Sequence, residues 1–398
     1  MIGSVTVVGA SLAGLSTVRA LRSQGYDGRI VVVGAEPHPP YDRPPLSKAF
    51  LVGTATEADI ALLGEEDDAL DVEWRLGVPA AALDPANHVV TLADGSLIAG
   101  DAVVLATGSR ARRLPGADGL PTALAGVHVL RTLDDAVALR EDLARGGSLV
   151  VVGAGFIGAE VASSARALGL DVTVVEAMTT PLAVPLGEQM GAVCAGLHAD
   201  HGVRLITGVG VAGLVGSERV EAVDLADGTR LPADVVVVGI GAAPNVEWLA
   251  DSGLKVTGGV ATDATCATAA PGIVAVGDCA LSYDVHARRP VRTEHWTHAL
   301  QQPATAAATL LGGRAPYTGL PYFWFEQYGL QVQLAGSRPQ GGGEVVTIVH
   351  GSVEERSLVA TYECEGRLVA VLGIDAPGPF TRWRRTLRTT AAAHALVG

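Results

Sequence analysis

The sequence predicts an α/β chain: two nested βαβ units, followed by a mainly antiparallel α+β domain at the C-terminus. Three observations predict it. A strand, a glycine turn, a helix and a second strand open the chain within residues 4–33, and the same order recurs within 149–175. Beyond about residue 315 the apolar pattern changes from buried runs to alternating strands.

The elements follow in order. Ser4 to Val8 reads as a β-branched buried strand, and Gly9-Ala10-Ser11-Leu12-Ala13-Gly14 as a turn. A helix is expected from Leu15 to Gln24, stopped by Gly25, with the next strand at Arg29 to Val33. In the second copy Leu149 to Val152 is the strand, Gly153 to Gly158 the turn, Ala159 to Leu168 the helix and Asp171 to Val175 the next strand. Between the copies, Ala102 to Leu105 is a buried strand running into Ala106-Thr107-Gly108. A near-copy, Val235 to Val238, runs into Gly239-Ile240-Gly241 and is closed by Pro244. The second unit therefore reads as an insertion into the first, entered near residue 112 and left near 240. Gly272 to Asp278 then completes the first unit. Four strands are expected later, at Leu330–Ala335, Val345–Val349, Leu358–Glu363 and Leu368–Gly373, before a final helix.

A glycine turn between a strand and a helix suits a pyrophosphate. Small residues let backbone N–H groups approach the phosphates, and the helix N-terminus is electropositive. In the first copy the binding turn is Gly9, Ser11, Ala13 and Gly14, with serine at the usual middle glycine. Glu36 follows the second strand, placed to accept a ribose hydroxyl. The second copy is stricter, with Gly153, Gly155, Ile157 and Gly158, and its ribose acid is Glu176. A carboxylate there repels a 2′-phosphate, and no arginine stands among Ala177, Met178, Thr179 and Thr180. The expectation is one FAD and one NADH, rather than NADPH.

Composition removes other classes. The net charge of −14 argues against nucleic acid. Hydrophobic residues make up 48% and mean hydropathy is +0.34, yet no uncharged apolar stretch reaches the ~18 residues needed to span a bilayer. No leader pattern opens the chain, so the expectation is a cytoplasmic protein. Cys194, Cys266, Cys279 and Cys364 are scattered, with no C-x-x-C and no ligand pair. That gives neither a metal site nor a redox-active dithiol, and suggests a reducing compartment. Charge is uneven: Glu65, Glu66, Asp67 and Asp68 form an acidic run. After Asp375 there is no carboxylate side chain, only Arg382, Arg384, Arg385 and Arg388 as charges.

Over essentially its whole length the chain resembles the FAD-dependent ferredoxin reductases of bacterial oxygenase systems. The resemblance rests on Tyr41-Asp42-Arg43-Pro44-Pro45-Leu46-Ser47-Lys48, Ala106-Thr107-Gly108, Leu130 to Ala136, Gly277-Asp278, Glu294-His295-Trp296 and Phe323-Trp324. It implies two nested Rossmann-like domains of the glutathione-reductase kind. The FAD-binding domain is then 1–112 with 241–314, the NAD-binding domain 113–240 and the C-terminal domain 315–398.

The same resemblance assigns roles. Asp278, after Gly277, would bind the FAD ribityl chain. Arg43 would lie beside the pyrophosphate and Lys48 beside the flavin ring. Glu160, which otherwise reads as a first-turn acid favoured by the helix dipole, would meet the nicotinamide carboxamide. Glu294, His295 and Trp296 would open a helix aimed at the flavin, with Trp296 and Trp324 the nearest aromatic residues. Hydride would pass from NADH to FAD, and single electrons to a small [2Fe–2S] ferredoxin. One departure stands out: Phe325-Glu326-Gln327 follows Trp324, where the family usually has an aspartate in a Trp-Ser/Thr-Asp-Gln pattern. Arg288, Arg289 and Arg292, together with the four late arginines, are candidates for docking an acidic ferredoxin. The alternatives are an NADH oxidase or peroxidase of the same fold, which would place a cysteine in the region now occupied by Tyr41 to Leu51, and a redox-responsive flavoprotein of the apoptosis-inducing-factor kind.

Overall fold

The computed structural model describes residues 2–114, 124–339 and 341–395. Two five-stranded parallel sheets repeat one design. In the first, Ser4–Val8 is central, flanked by Arg29–Val33 and Ala102–Leu105, with Val72–Arg75 and Ile273–Ala275 at the edges. In the second, Ser148–Val152 is central, flanked by Asp171–Glu176 and Val235–Val238, with Arg204–Thr207 and Val127–His128 at the edges. Nearly every residue of the central strands is buried, as a parallel sheet covered on both faces requires. Segment 115–123 lies outside the described residues, between the expected entry near 112 and the Val127–His128 strand. The crossing itself is a two-stranded ribbon, with Ser109–Ala111 antiparallel to Ala242–Pro244.

The described residues form six α-helices: α1 (Leu12–Ser23), α2 (Leu133–Leu143), α3 (Phe156–Ala167), α4 (Ala183–Asp200), α5 (Trp296–Leu310) and α6 (Pro377–Ala395). Both α1 and α3 start three residues earlier than the sequence suggests. The last glycine of each turn is already helical, because the turn needs only its first glycine in a left-handed conformation (Gly9 φ +126°, Gly153 φ +99°). This corrects the expectation for Glu160: it is the fifth residue of α3, a full turn in, and not a first-turn acid placed for the dipole.

The third sheet is antiparallel, in the order Tyr322–Gln327, Leu330–Gly336, Arg367–Ile374, Ser357–Cys364, Val345–Ser352. Its first strand was not expected. It joins the second through Tyr328 and Gly329, both at positive φ (+51° and +81°), a two-residue turn that matches the strand twist. One face of this sheet packs on α4 through Leu186, Met190 and Cys194, and the other on α6 through Phe380 and Leu387. No helix among the described residues is long and apolar enough to cross a membrane.

Candidate active site

The two glycine turns are superimposable in their bonding. Gly9 N–H donates to the carbonyl of Val33 and Gly153 N–H to that of Val175, each at 2.7 Å. A Cβ on Gly14 would collide with the carbonyl of Gly9, and one on Gly158 with that of Gly153, so these glycines are fixed by helix–strand packing. A Cβ on Gly9 would strike the carbonyl of Ala106, which draws Ala106-Thr107-Gly108 against the first turn. Gly155 differs: its Cβ would meet nothing closer than the Gly239 carbonyl at 4.0 Å. Neither Ser11 nor Gly155, the N-cap residues, caps its helix with a side-chain bond. Open space at the middle glycine and uncapped N–H groups at both helix starts fit a pyrophosphate at each turn.

Around the first turn the polar residues bond to one another. Glu36 accepts from Arg43 at 2.6 Å and from the Tyr41 hydroxyl, and Arg43 also reaches Ser11 Oγ (3.3 Å) and the Arg131 carbonyl (2.6 Å). Asp278 accepts from Arg131 (2.8 Å) and from the Ser109 hydroxyl (2.9 Å). Gly277 (φ +69°) donates its N–H to buried Gln302 and packs against Ala13. Thr107 and Gly108 are tied to Asn245, and Gly241 (φ +102°) faces Arg112. At the second turn Glu176 accepts the N–H groups of Ala154 (2.8 Å) and Met178 (2.9 Å), and Ile157 is exposed. Backbone donors thus hold the Glu176 carboxylate at the turn, in keeping with a ribose acceptor.

The two units meet at Glu160. This carboxylate is buried, yet it accepts from Lys48 Nζ (2.8 Å), the Ser47 hydroxyl (2.5 Å) and the Glu326 N–H (3.1 Å). Those donors come from the first unit and from the third sheet, so three parts of the chain converge on one oxygen pair. Ser163 and Ser164 extend the polar stripe, bonding the Tyr328 N–H (2.7 Å) and the Ser47 carbonyl (2.6 Å). A buried carboxylate is tolerable only with this degree of pairing.

Beside the ion pair stands an aromatic group. Trp296, the first residue of α5, packs edge-on against Trp324 at 5.7 Å, and Trp324 stacks on Tyr322 at 6.0 Å. The Arg384 guanidinium of α6 lies 3.8 Å from the Tyr322 ring centroid. On the other face of the same strand, Phe323 and Phe325 clasp Phe156 at 4.6 and 5.0 Å. The unusual Phe325 is therefore core, while Glu326 is exposed on the face of Trp324. A cavity of about 270 Å³ opens here, lined by Phe156, Arg292, Thr293, Glu294, His295 and Pro321. The Nδ1 of His295 is buried without a hydrogen-bond partner among the described residues, and burial pushes its pKa down to about 4.

The arginines divide. Arg382, Arg384, Arg385 and Arg388 share α6 and are exposed. Arg288 and Arg289 lie at a separate hairpin, and Arg292 turns inward to Glu294 and the Asp278 carbonyl. Sequence reasoning missed Asp42, Ser47 and Arg131 as site residues, although all three stand inside motifs it had marked. The four cysteines are free, and burial pushes the thiols of Cys194 and Cys266 up to about 12, which keeps them protonated.

Two units, each with a glycine turn suited to a dinucleotide, meet at a single buried ion pair, and the fold and site define the protein as a flavin- and nicotinamide-dependent oxidoreductase. The chain belongs to the pyridine nucleotide-disulphide oxidoreductase family, which it matches over residues 3–303; residues 322–396 match a reductase C-terminal domain. It is 38% identical to the ferredoxin reductase component of chlorobenzene dioxygenase from Cupriavidus sp. (strain PS12), covering 98% of this chain and 93% of that one. It is also 38% identical to rhodocoxin reductase from Rhodococcus erythropolis, covering 97% and 90%. The solved covalent putidaredoxin reductase–putidaredoxin complex superimposes with a TM-score of 0.92 at 34% identity, covering 98% of this chain and 93% of that one. FAD and NAD(H) are the cofactors of this family.

Proposed function

We propose that this protein is an NADH-dependent reductase of a small [2Fe–2S] ferredoxin that serves an oxygenase, acting in the cytoplasm. The observation that carries it is the meeting of the two units at the buried Lys48–Glu160 pair with a tryptophan pair alongside. Bound FAD supplies the conversion of a two-electron donor into two single-electron deliveries. The chain's own residues orient and insulate. Gly9, Ser11, Gly14 and Arg43 hold the FAD pyrophosphate, Asp278 the ribityl chain, and Gly153, Gly155, Gly158 and Glu176 the NADH adenosine half. Glu160 orients the carboxamide, and Lys48 supplies positive charge beside the ring. Phe323 and Phe325 are buried on the inner side of their strand. The domain division is 1–112 with 241–314 for FAD, 113–240 for NAD and 315–398 for the C-terminal domain. The exposed α6 arginines, with Arg288 and Arg289, offer an acidic ferredoxin a basic landing face on an acidic protein, which speeds encounter.

The test is anaerobic. The FAD-loaded protein is mixed with NADH or with NADPH, and ferredoxins from the same cell are then added while flavin and iron–sulfur absorbance are followed. Rapid bleaching by NADH, then rapid ferredoxin reduction, is expected. Bleaching without transfer to any ferredoxin overturns the proposal.

A further inference from the structure

We infer that Asp42 is a positioning residue that fixes the indole of Trp296, and through it the Trp296–Trp324 pair that faces the ferredoxin side of the site. The inference deepens the reductase reading and rests on it for its kinetic arm.

The indole N–H of Trp296 donates to Asp42 Oδ1 at 2.6 Å, across 254 residues of chain. A bond from a neutral N–H to an ionised carboxylate is short and directional, and it sets the rotation of the ring. Asp42 is itself anchored. Its N–H donates to the Ile60 carbonyl (2.7 Å), and Leu62 N–H donates to the Pro40 carbonyl (3.0 Å), so the loop is stitched on both sides of the aspartate. Burial raises the Asp42 pKa, while the Trp296 N–H and the Lys48 ammonium favour its charged form. Lys48 therefore stands between Asp42 and Glu160. The short segment 42–48 grips Trp296 at one end and, through Ser47 and Lys48, Glu160 at the other.

Edge-on packing between two indoles needs a defined angle, here 72°. Trp324 is held by its strand and by Tyr322; Trp296 sits at the start of a helix, and Asp42 bonds the one polar atom of its side chain. From Trp296 the ring contacts run through Trp324 and Tyr322 to Arg384 on the exposed face of α6. They do not run toward the Gly153–Gly158 turn. Loss of the Asp42 acceptor is thus expected to disturb delivery to ferredoxin more than uptake from NADH.

The test compares Asp42→Ala with Asp42→Asn, which keeps an acceptor oxygen but not the charge. Two readouts are taken: tryptophan fluorescence and near-ultraviolet dichroism of the resting protein, and separate rapid-mixing rates for flavin reduction by NADH and for ferredoxin reduction. In Asp42→Ala the tryptophan spectra change, and the ratio of the ferredoxin rate to the NADH rate falls by roughly tenfold, as misplacement of a positioned group predicts. Asp42→Asn restores both. Unchanged spectra, equal slowing of the two steps, or an asparagine variant as impaired as the alanine one overturns the inference. If Asp42→Ala does not fold, Trp296→Phe, which deletes the donor, takes its place: an unchanged rate ratio then overturns it. If the parent protein reduces no ferredoxin, the reductase reading fails by itself, and the spectra still decide the role of Asp42.

Discussion

Gly155 and Gly158 stand three residues apart and serve different ends. Gly158 is required by the fold, because any Cβ would enter the Gly153 carbonyl; Gly155 is open, and its smallness is useful only to a ligand. Gly158→Ala is therefore expected to lower the melting temperature sharply. Gly155→Thr keeps a competent N-cap and should leave the melting temperature nearly unchanged while raising the KM for NADH by roughly tenfold. Thermal scans alongside NADH titrations of the two variants would show whether the division holds. Glu160 was legible in the sequence as an acid just past the second glycine turn. Its partners were not, because Lys48 lies 112 residues away and the Glu326 N–H 166 away.

At the scale of the element, α4 is fastened to the third sheet through its own carbonyls. The Tyr362 hydroxyl donates to the Leu186 carbonyl (2.8 Å), Gln327 to that of Cys194 (3.2 Å), and Arg338 to those of Ala183 (3.0 Å) and Val184 (2.9 Å). Arg338 also pairs with Glu344, both side chains nearly buried. It lies against Gly187, where α4 kinks at φ +81°. Arg338→Ala strands the Glu344 carboxylate and should cost roughly 3–5 kcal/mol, measurable by denaturant unfolding. Tyr328→Phe, which removes the bond to His198 Nδ1 (2.7 Å), should cost about 1 kcal/mol in the same experiment. The strand Tyr322–Gln327 escaped sequence reading because it carries aromatic residues toward both faces, Phe323 and Phe325 inward and Tyr322 and Trp324 toward the site. Such a run lacks the apolar–polar alternation by which a half-buried strand is recognised.

At the scale of the whole molecule, buried His198 and partly buried His295 and His298 contribute to acid stability. Burial pushes His198, His295 and His298 each down to about 4, against an ordinary value of 6.5. Between those values the unfolded chain takes up protons that the folded chain refuses. Stability is therefore full above about pH 6.5 and falls as pH drops toward 4, by a few kcal/mol per histidine in order of magnitude. Melting temperatures measured across that range should decline steadily, and His198→Asn should flatten the decline. Charge distribution governs the partner step. If the α6 arginines receive an acidic ferredoxin, its reduction rate falls as salt rises from a few tens of millimolar to about half molar, while flavin reduction by NADH changes little. Reversal of Arg382, Arg385 and Arg388 to glutamate should lower kcat/KM for ferredoxin without altering the NADH step.

By itself the sequence determined what is local in chain order: two strand–turn–helix units, their glycines, the carboxylate that ends the second strand of the second unit, and the return of the chain to the first sheet after the second. These follow from short-range sterics and periodicity, which a linear pattern records. Tertiary structure alone decided what depends on distant segments meeting. It joined Lys48, Glu160 and the Glu326 backbone, set Asp42 under Trp296, and fastened α4 to the third sheet. It also separated the arginines into an exposed helix, a hairpin and the inward-turned Arg292. Contacts across more than a hundred residues are settled by how whole faces pack, and no local pattern carries that information.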